Sequence, residues 1–365
     1  MTHTRASSNR LHYLDWVRGV GAIIMLQGHA FDSFLKPELR PGGAYTLSQF
    51  VGGMPPAIFL FLTGVTLAFL MDSTERKELP LGERFITALS RSRYLFLLAF
   101  AFRLQLFIFG FPAAWQDLLR VDVLNCMGFS MALMAVMALV PTRNRVWICG
   151  ALGFAVLLLS PLVSQMNWSG LPWMVRNYIA PAYGSFSFFP WGGYLVFGLS
   201  MGSLIRIAKE DAAAHRLMEW TALAGGALVL GGQLFAAIPY TLYRKSDFWL
   251  NSPAQTLTKL GVVLLMLPAA FVWTRYGARG GWSWVRQFGI SSLLVYWVHI
   301  ELVYGREFWF LKNNLTVVQT VASAVGLILL MLGLSTARTY WYRVRAVLDG
   351  LGWDFGPKPE RIPAD

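Results

Sequence analysis

The chain has 365 residues, of which 56% are hydrophobic and only 14% charged, and its formal net charge is +12. Soluble domains average about half apolar and about a quarter charged residues. This chain has a higher apolar fraction and a lower charged fraction, which is typical of a membrane protein. The composition excludes a disordered chain and most soluble enzymes. Because basic residues collect in the cytoplasmic loops of membrane proteins, the positive charge does not require a nucleic-acid partner. The sequence therefore predicts an all-α, polytopic integral membrane protein in contact with the lipid bilayer and with no nucleic acid.

About ten runs of the chain are apolar and long enough to cross a bilayer as helices, which takes about 20 residues. They cover residues 14–35, 51–71, 94–111, 121–141, 146–164, 187–207, 218–239, 257–275, 288–305 and 316–337. Together they predict one transmembrane domain over residues 14–337, with an N-terminal segment at 1–13 and a C-terminal tail at 338–365.

The distribution of basic residues predicts the orientation. About two thirds of the 31 Lys and Arg residues fall in the termini and in the loops on their side of the membrane. Cytoplasmic loops are the basic ones, so both termini are predicted to be cytoplasmic. The protein is then expected to be a multi-pass protein of the plasma (inner) membrane.

The first apolar run carries a stripe of ionisable residues, namely Asp15, Arg18, His29 and Asp32. A spacing of 11 residues places Arg18 and His29 on one helix face, about 16 Å apart along the axis. Asp15 and Asp32 extend the same stripe by one turn at each end. Such residues are costly in lipid and often mark function. The structural alternative is an Asp15–Arg18 ion pair with a hydrogen-bonded His29–Asp32 pair.

The residue types of this stripe suit group transfer. A histidine can act as a base near neutral pH, and a carboxylate one turn away could fix its tautomer. An arginine donates hydrogen bonds in a fork that matches a phosphate or pyrophosphate. The helix is therefore predicted to hold a base, His29 with Asp32, toward the outer side and an anion contact, Arg18, toward the cytoplasm.

The ninth run supplies a second histidine, His299, at a depth similar to that predicted for His29. Glu301 lies two residues later, about 200° around the helix, so only one of the two can face a given site. We expect His299 to face a cavity inside the helix bundle. Glu301 is expected to pair elsewhere or to line the acceptor channel. The structural alternative for His299 is a hydrogen bond that holds two helices together.

Further candidates lie in the third and fourth runs. Arg103 is mid-membrane, where insertion costs about 2.5–3.5 kcal/mol, so it must find a partner or an anion such as the donor. Asp122 and Asn125, one turn apart, could provide that partner or line an acceptor channel. Arg91 and Arg93 border the predicted cytoplasmic face and are candidate contacts for the phosphates of a ligand, although orientation alone also favours arginine there.

The pattern Leu14-Asp15, Arg18-Gly19 and His29 resembles the Arg/Lys-x10-His signature of the transmembrane acyltransferase superfamily. This superfamily includes the acyltransferase-3 enzymes and the heparan-α-glucosaminide N-acetyltransferase-like proteins. Three further segments are similar to the second group: residues 59–64 (FLFLTG), 122–128 (DVLNCMG) and 296–305 (YWVHIELVYG). They follow one another along the chain, so the resemblance is to the bacterial members' catalytic domain as a whole.

The resemblance implies acetyl-CoA as the donor on the cytoplasmic side and an acceptor, often a sugar or glycan, on the far side. It makes His29 the catalytic residue and Arg18 the basic residue of the signature. No metal is expected, because the sequence has no zinc-ligand spacing. The hypothesis is an acetyl-CoA-dependent O- or N-acetyltransferase in which His29 is either a general base or an acetyl carrier.

An alternative from another class is a secondary transporter or a lipid-linked sugar flippase. The same buried Arg, His and Asp residues would then couple transport to protons. Transporters often show paired halves, and no clear internal symmetry is visible in this sequence. Acetyl transfer requires coenzyme A strictly, whereas transport predicts pH-dependent accumulation in sealed vesicles. The oligomeric state, a homo-oligomer included, is left open.

Overall fold

A computed structural model describes residues 11–109, 114–238, 242–277 and 281–341. Within these ranges the chain is helical, and its one extended pairing is an isolated bridge between Leu35 and Leu315. The α-helices are α1 (His12–Phe34), α2 (Gly43–Gly52), α3 (Pro55–Arg76), α4 (Leu81–Phe109), α5 (Val123–Met134), α6 (Thr142–Gln165), α7 (Trp173–Ile179), α8 (Gly193–Ile207), α9 (Asp211–Ala237), α10 (Pro253–Val272), α11 (Trp284–Ile290), α12 (Ser292–Tyr304) and α13 (Val317–Thr339). The predicted all-α class is confirmed. Most of both predicted terminal segments, and the last residues of the third and seventh runs, lie outside the described residues.

Among the described residues, eight helical stretches are long and apolar enough to cross a membrane, which confirms a polytopic membrane protein. They are Gly43–Arg76, Leu81–Phe109, Trp115–Leu139, Thr142–Gln165, Phe188–Ile207, Asp211–Ala237, Pro253–Gly277 and Val317–Thr339. The other two predicted spans correspond to α1, which carries several ionisable residues, and to α12, which has only 13 residues. The count of ten and the cytoplasmic termini stay predictions.

The chain separates into two compact units, Met1–Gly52 with Trp273–Asp365, and Gly53–Val272. Residues 14–337, predicted as one transmembrane domain, are shared between the two units. The first unit contains α1, α2 and α11 to α13, and the second contains α3 to α10.

In the first unit α1 is the central helix and contacts α2, α11, α12 and α13. Its approach to α11 is set by two glycines. A Cβ atom at Gly19 would overlap the carbonyl oxygen of Val285, and one at Gly289 would overlap the carbonyl oxygen of Asp15. The two helices therefore touch backbone to backbone, as small residues allow in membrane proteins.

The C-terminal end of α1 is fixed by hydrogen bonds to α12 and to the segment that precedes α13. The Leu315 N–H donates to the Phe34 carbonyl at 2.9 Å, and the Lys36 N–H donates to the Leu315 carbonyl at 3.0 Å. The Ser33 hydroxyl donates to the Val303 carbonyl at 2.8 Å. These bonds hold the last turns of α1, which carry His29, in a defined position relative to α12.

The second unit uses the same kind of close packing. A Cβ atom at Gly198 of α8 would overlap the backbone of Phe61 on α3, and Gly64 of α3 meets the backbone of α8. Gly225 on α9 and Gly261 on α10 approach each other's carbonyl groups in the same way. Two helix pairs therefore depend on the absence of a side chain.

The substitution Gly289→Ala should lower the stability of the first unit by about 1–3 kcal/mol, because the added methyl group forces α11 away from α1. The measurement is thermal unfolding of the purified protein in detergent. Gly333→Ala on α13 is the matched control, since a Cβ atom there meets nothing within 4 Å. An unfolding temperature of Gly289→Ala equal to that of Gly333→Ala would contradict the close crossing of α1 and α11.

Candidate active site

Two of the predicted site residues, His29 on α1 and His299 on α12, lie in direct contact. Nδ1 of His29 is 2.9 Å from Nε2 of His299, and the two rings lie edge to edge within 17° of parallel, with centroids 5.1 Å apart. His299 is fully buried, whereas His29 keeps partial exposure. The second nitrogen of His299, Nδ1, is 2.7 Å from the carbonyl oxygen of Val295. Residues 270 positions apart in sequence therefore form one imidazole pair.

Asp32 is one turn beyond His29 but binds two tyrosines. Its Oδ2 accepts a hydrogen bond from the Tyr304 hydroxyl at 2.8 Å, and its Oδ1 accepts one from the Tyr45 hydroxyl at 3.2 Å. The Tyr304 ring is edge-on to the His29 ring, with centroids 5.4 Å apart. The hydrogen-bond partner of the His29 ring in the structure is therefore His299, and Asp32 is connected to this pair through Tyr304.

Arg40 provides a positive charge beside Asp32. One guanidinium nitrogen, Nη2, donates to the backbone carbonyl of Asp32 at 2.7 Å and to Oδ1 of Asn313 at 2.8 Å. The guanidinium carbon lies 5.6 Å from the centre of the Tyr45 ring. Sequence reasoning did not single out Arg40, Tyr45 or Tyr304, because these residues lie outside the stripe on α1.

The other predicted residues of this unit are Arg18, Asp15 and Glu301. Nη1 of Arg18 lies 3.3 Å from Oδ1 of Asp15, which is the ion pair that the spacing anticipated. The Asp15 side chain is 7% exposed and the Arg18 side chain 23% exposed. Glu301 lies on α12 with intermediate exposure. The charge of Arg18 is therefore partly balanced by Asp15 within the same helix.

In the second unit the structure brings Arg103, Asp122 and Asn125 together. Nε of Arg103 is 3.7 Å from Oδ2 of Asp122 and donates to the carbonyl of Arg120 at 3.2 Å. Asp122 caps α5 in a capping box with Asn125, whose amide donates to the Tyr178 hydroxyl at 3.2 Å. Burial raises the pKa of Tyr178, so this phenol is neutral at physiological pH. Arg103 thus has the carboxylate partner that its position in the membrane demands.

Arg91 and Arg93 lie on α4 with exposed side chains, and the guanidinium carbon of Arg91 lies 5.3 Å from the centre of the Tyr94 ring. Exposed arginines of this kind are accessible to an anionic ligand. The role of Arg91 and Arg93 as donor contacts stays a prediction.

Asp72 and Glu75, at the end of α3, form a cluster of ion pairs with other basic residues of this unit. Nε of Arg206 is 2.6 Å from Oδ2 of Asp72. Nη2 of the fully buried Arg145 is 3.2 Å from Oε2 of Glu75, and Nη2 of Arg84 is 3.3 Å from the same atom. The cluster connects α3, α4, α6 and α8. Sequence reasoning missed it because the acidic partners come from a different helix.

Lys259 is a further residue that sequence reasoning missed. It lies within α10, and its Nζ atom is 5.1 Å from the centre of the Trp191 ring. A cation over an indole face is attracted by the ring quadrupole. The signal in the sequence was a single charge near the start of the eighth apolar run.

These observations define a polytopic helical membrane protein in which the first helix carries a histidine in direct contact with a second one on α12. Residues 10–238 match the family model described as the heparan-alpha-glucosaminide N-acetyltransferase catalytic domain. The chain therefore belongs to this family and is a membrane acetyltransferase, which confirms the resemblance drawn from the sequence. None of the curated proteins compared with the chain matches it significantly. The family match includes His29 but ends before α12, so the His29–His299 contact rests on the structure.

The substitution Glu75→Gln should destabilise the protein by about 2 kcal/mol, because it leaves the buried Arg145 without its carboxylate. Unfolding in detergent, followed by tryptophan fluorescence, measures this loss. Glu83→Gln is the control, since Glu83 is an exposed glutamate on α4. Equal stability of the two variants would show that the cluster does not hold these helices together.

Proposed function

We propose that this acetyltransferase moves an acetyl group from cytoplasmic acetyl-CoA to a hydroxyl or amine of a sugar-type acceptor near the outer side of the membrane. His29 handles the proton or the acetyl group. The observation that supports this most is the contact between His29 and the buried His299, since a histidine held by a second polar group is typical of base and nucleophile sites. Membership of the acetyltransferase family supports the reaction class.

Two mechanisms use the same histidine. As a general base, His29 removes the proton from the acceptor while the acceptor attacks the thioester directly. As an acetyl carrier, His29 attacks the thioester first and then passes the acetyl group to the acceptor. A burst of labelled acetyl-enzyme in the absence of acceptor separates the second mechanism from the first.

The remaining predicted residues would bind the two substrates. Arg18 is proposed to contact the donor, since a guanidinium can bind a phosphate or a carbonyl in a fork. Asp32 is proposed to hold Tyr304 against the ring of His29. Further contacts are assigned as follows: Arg103, Arg91 and Arg93 for the donor, and Asp122, Asn125 and Glu301 for the acceptor.

The substitution His29→Ala should lower acetyl transfer about 100-fold or more, while acetyl-CoA still binds, because only the proton or acyl acceptor is lost. Transfer is measured with labelled acetyl-CoA and an amino sugar, and donor binding by calorimetry on the same preparation. His215→Ala, on α9, is the control and should leave transfer unchanged. Full transfer by His29→Ala would refute the role of His29.

The transport alternative is tested with the same protein in sealed vesicles. Accumulation of sugar that follows a pH gradient and needs no coenzyme A would replace the acetyl-transfer proposal by proton-coupled transport. Transfer that stops when acetyl-CoA is omitted supports the enzyme.

The substitution Arg18→Lys should weaken acetyl-CoA binding about 10-fold, because an ammonium group is a point charge and cannot replace a fork of donors. Titration of the detergent-purified variant with acetyl-CoA provides the dissociation constant. Arg216→Lys, an exposed arginine on α9, serves as the reference. Wild-type affinity in Arg18→Lys would remove Arg18 from the donor site.

A further inference from the structure

We infer that His299 fixes the tautomer of His29, so that Nε2 of His29 is the reacting nitrogen and His299 is a positioning residue. This inference rests on the proposed function of His29 in acetyl transfer. It adds the identity of the reacting atom and a specific role for His299. Hydrogen-bond partners follow one another from the Val295 carbonyl through His299 to His29, and this order supports the inference.

His299 has its tautomer fixed by a backbone carbonyl oxygen. Its Nδ1 is 2.7 Å from the backbone carbonyl oxygen of Val295, one turn earlier on α12. A carbonyl oxygen can only accept a hydrogen bond, so Nδ1 of His299 carries the hydrogen. The ring is fully buried and its hydrogen-bond partners are an uncharged carbonyl and another imidazole. A buried ring in such surroundings is neutral, and a neutral imidazole has one N–H, so Nε2 of His299 is an acceptor.

The tautomer of His299 in turn fixes the tautomer of His29. Nε2 of His299 is 2.9 Å from Nδ1 of His29. Two lone pairs at this distance repel each other, so Nδ1 of His29 must carry the hydrogen and donate it to His299. The neutral His29 ring then has its lone pair on Nε2. Tautomers are assigned from such networks, and here the backbone carbonyl of Val295 determines the direction of both hydrogen bonds.

The orientation of the two histidines is fixed by two contacts between α1 and α12. The Ser33 hydroxyl bonds the carbonyl of Val303 at 2.8 Å, which connects α1 to α12 one turn beyond each histidine. Asp32 accepts the hydroxyl of Tyr304, whose ring is edge-on to His29. Both contacts fix the rotation of α1 relative to α12. They hold Nδ1 of His29 next to Nε2 of His299. The other nitrogen of His29, its Nε2, therefore faces away from His299.

The reacting atom is the same in both mechanisms. In direct transfer, the acceptor oxygen or nitrogen bonds the acetyl carbon, the carbon–sulfur bond breaks, and Nε2 of His29 takes the acceptor proton and returns it to the coenzyme A thiolate. In the relay, Nε2 bonds the acetyl carbon as the thiolate leaves. The acceptor then takes the acetyl group, and its proton goes to the thiolate. Nδ1–H of His29 stays bonded to His299 throughout.

The tautomers are measured directly by nitrogen-15 NMR of histidine-labelled protein in detergent. The chain has 5 histidines, and the variants His29→Gln and His299→Gln assign the two that matter. The expected spectrum shows Nδ1 protonated and Nε2 unprotonated in both rings. A protonated Nε2 in neutral His29 overturns the inference. Because this readout needs no substrate, an inactive protein with the expected tautomers would refute only the proposed function.

Two variants test whether His299 acts through the hydrogen bond. His299→Leu removes the acceptor and should lower kcat about 10–100-fold with KM for acetyl-CoA changed less than about 2-fold, while His29 becomes a mixture of tautomers. His299→Gln offers an amide oxygen near the position of Nε2 and should restore a large part of kcat and the single tautomer. Leucine and glutamine both differ in shape from histidine, so a packing role predicts a loss of kcat in both variants. A hydrogen-bonding role predicts that glutamine restores kcat and leucine does not, and the size of this rescue distinguishes the two roles.

Three outcomes would count against His299 as a positioning residue. The first is a wild-type kcat in His299→Leu. The second is an equal loss of kcat in both variants, since glutamine would then give no rescue. The third is a single, unchanged His29 tautomer in His299→Leu, which would show that something other than His299 sets it. Thermal unfolding of both variants shows that the protein measured is folded.

Discussion

Lipid offers no hydrogen bonds, so a polar side chain on a membrane helix must find its partner within the protein. This constraint explains the contacts on which both units depend. In the first unit it brings His29 to His299 and Asp32 to Tyr304. In the second it brings Arg103 to Asp122. Each such contact joins two different elements of the fold, and it therefore organises the packing as well as any chemistry.

The constraint also decides what the sequence could and could not predict. The stripe on α1 and the Asp15–Arg18 pair follow from helical spacing within one segment, so they could be predicted. The hydrogen-bond partner of His29 could not, because spacing on α1 favoured Asp32, whereas the partner His299 comes from α12. Tyr45 and Tyr304, which bind Asp32, were missed for the same reason. Local periodicity shows which face of a helix is polar, but not which residue of another helix meets it.

The helices that carry the candidate site are also the ones that least resemble ordinary spans. α1 is 23 residues long, yet its ionisable and amide side chains separate it from the eight apolar candidates. α12 has 13 residues, too few to cross about 30 Å of hydrocarbon as one helix. Polar side chains lower the mean hydropathy of a helix such as α1. A helix as short as α12 needs neighbouring protein to fill the rest of the membrane thickness. A count of apolar runs is therefore least informative where the polar residues of a candidate site are concentrated.

The break between α11 and α12 shows how such a short helix is supported. α11 ends at Ile290 and α12 begins at Ser292, which leaves polar groups at the junction within the buried part of the unit. The amide of Gln287 donates to the backbone carbonyl and the hydroxyl of Ser335 on α13, and the hydroxyls of Ser291 and Ser335 bond each other. The backbone carbonyl of Gln287, which the Ser291 N–H reaches only at 3.4 Å, also accepts hydrogen bonds from the hydroxyls of Ser291 and Ser335. Because protein supplies the hydrogen bonds that lipid cannot, the helix can be interrupted here. The interruption separates two tasks: α11 packs closely against α1 through Gly289, and α12 holds His299 at the ring of His29.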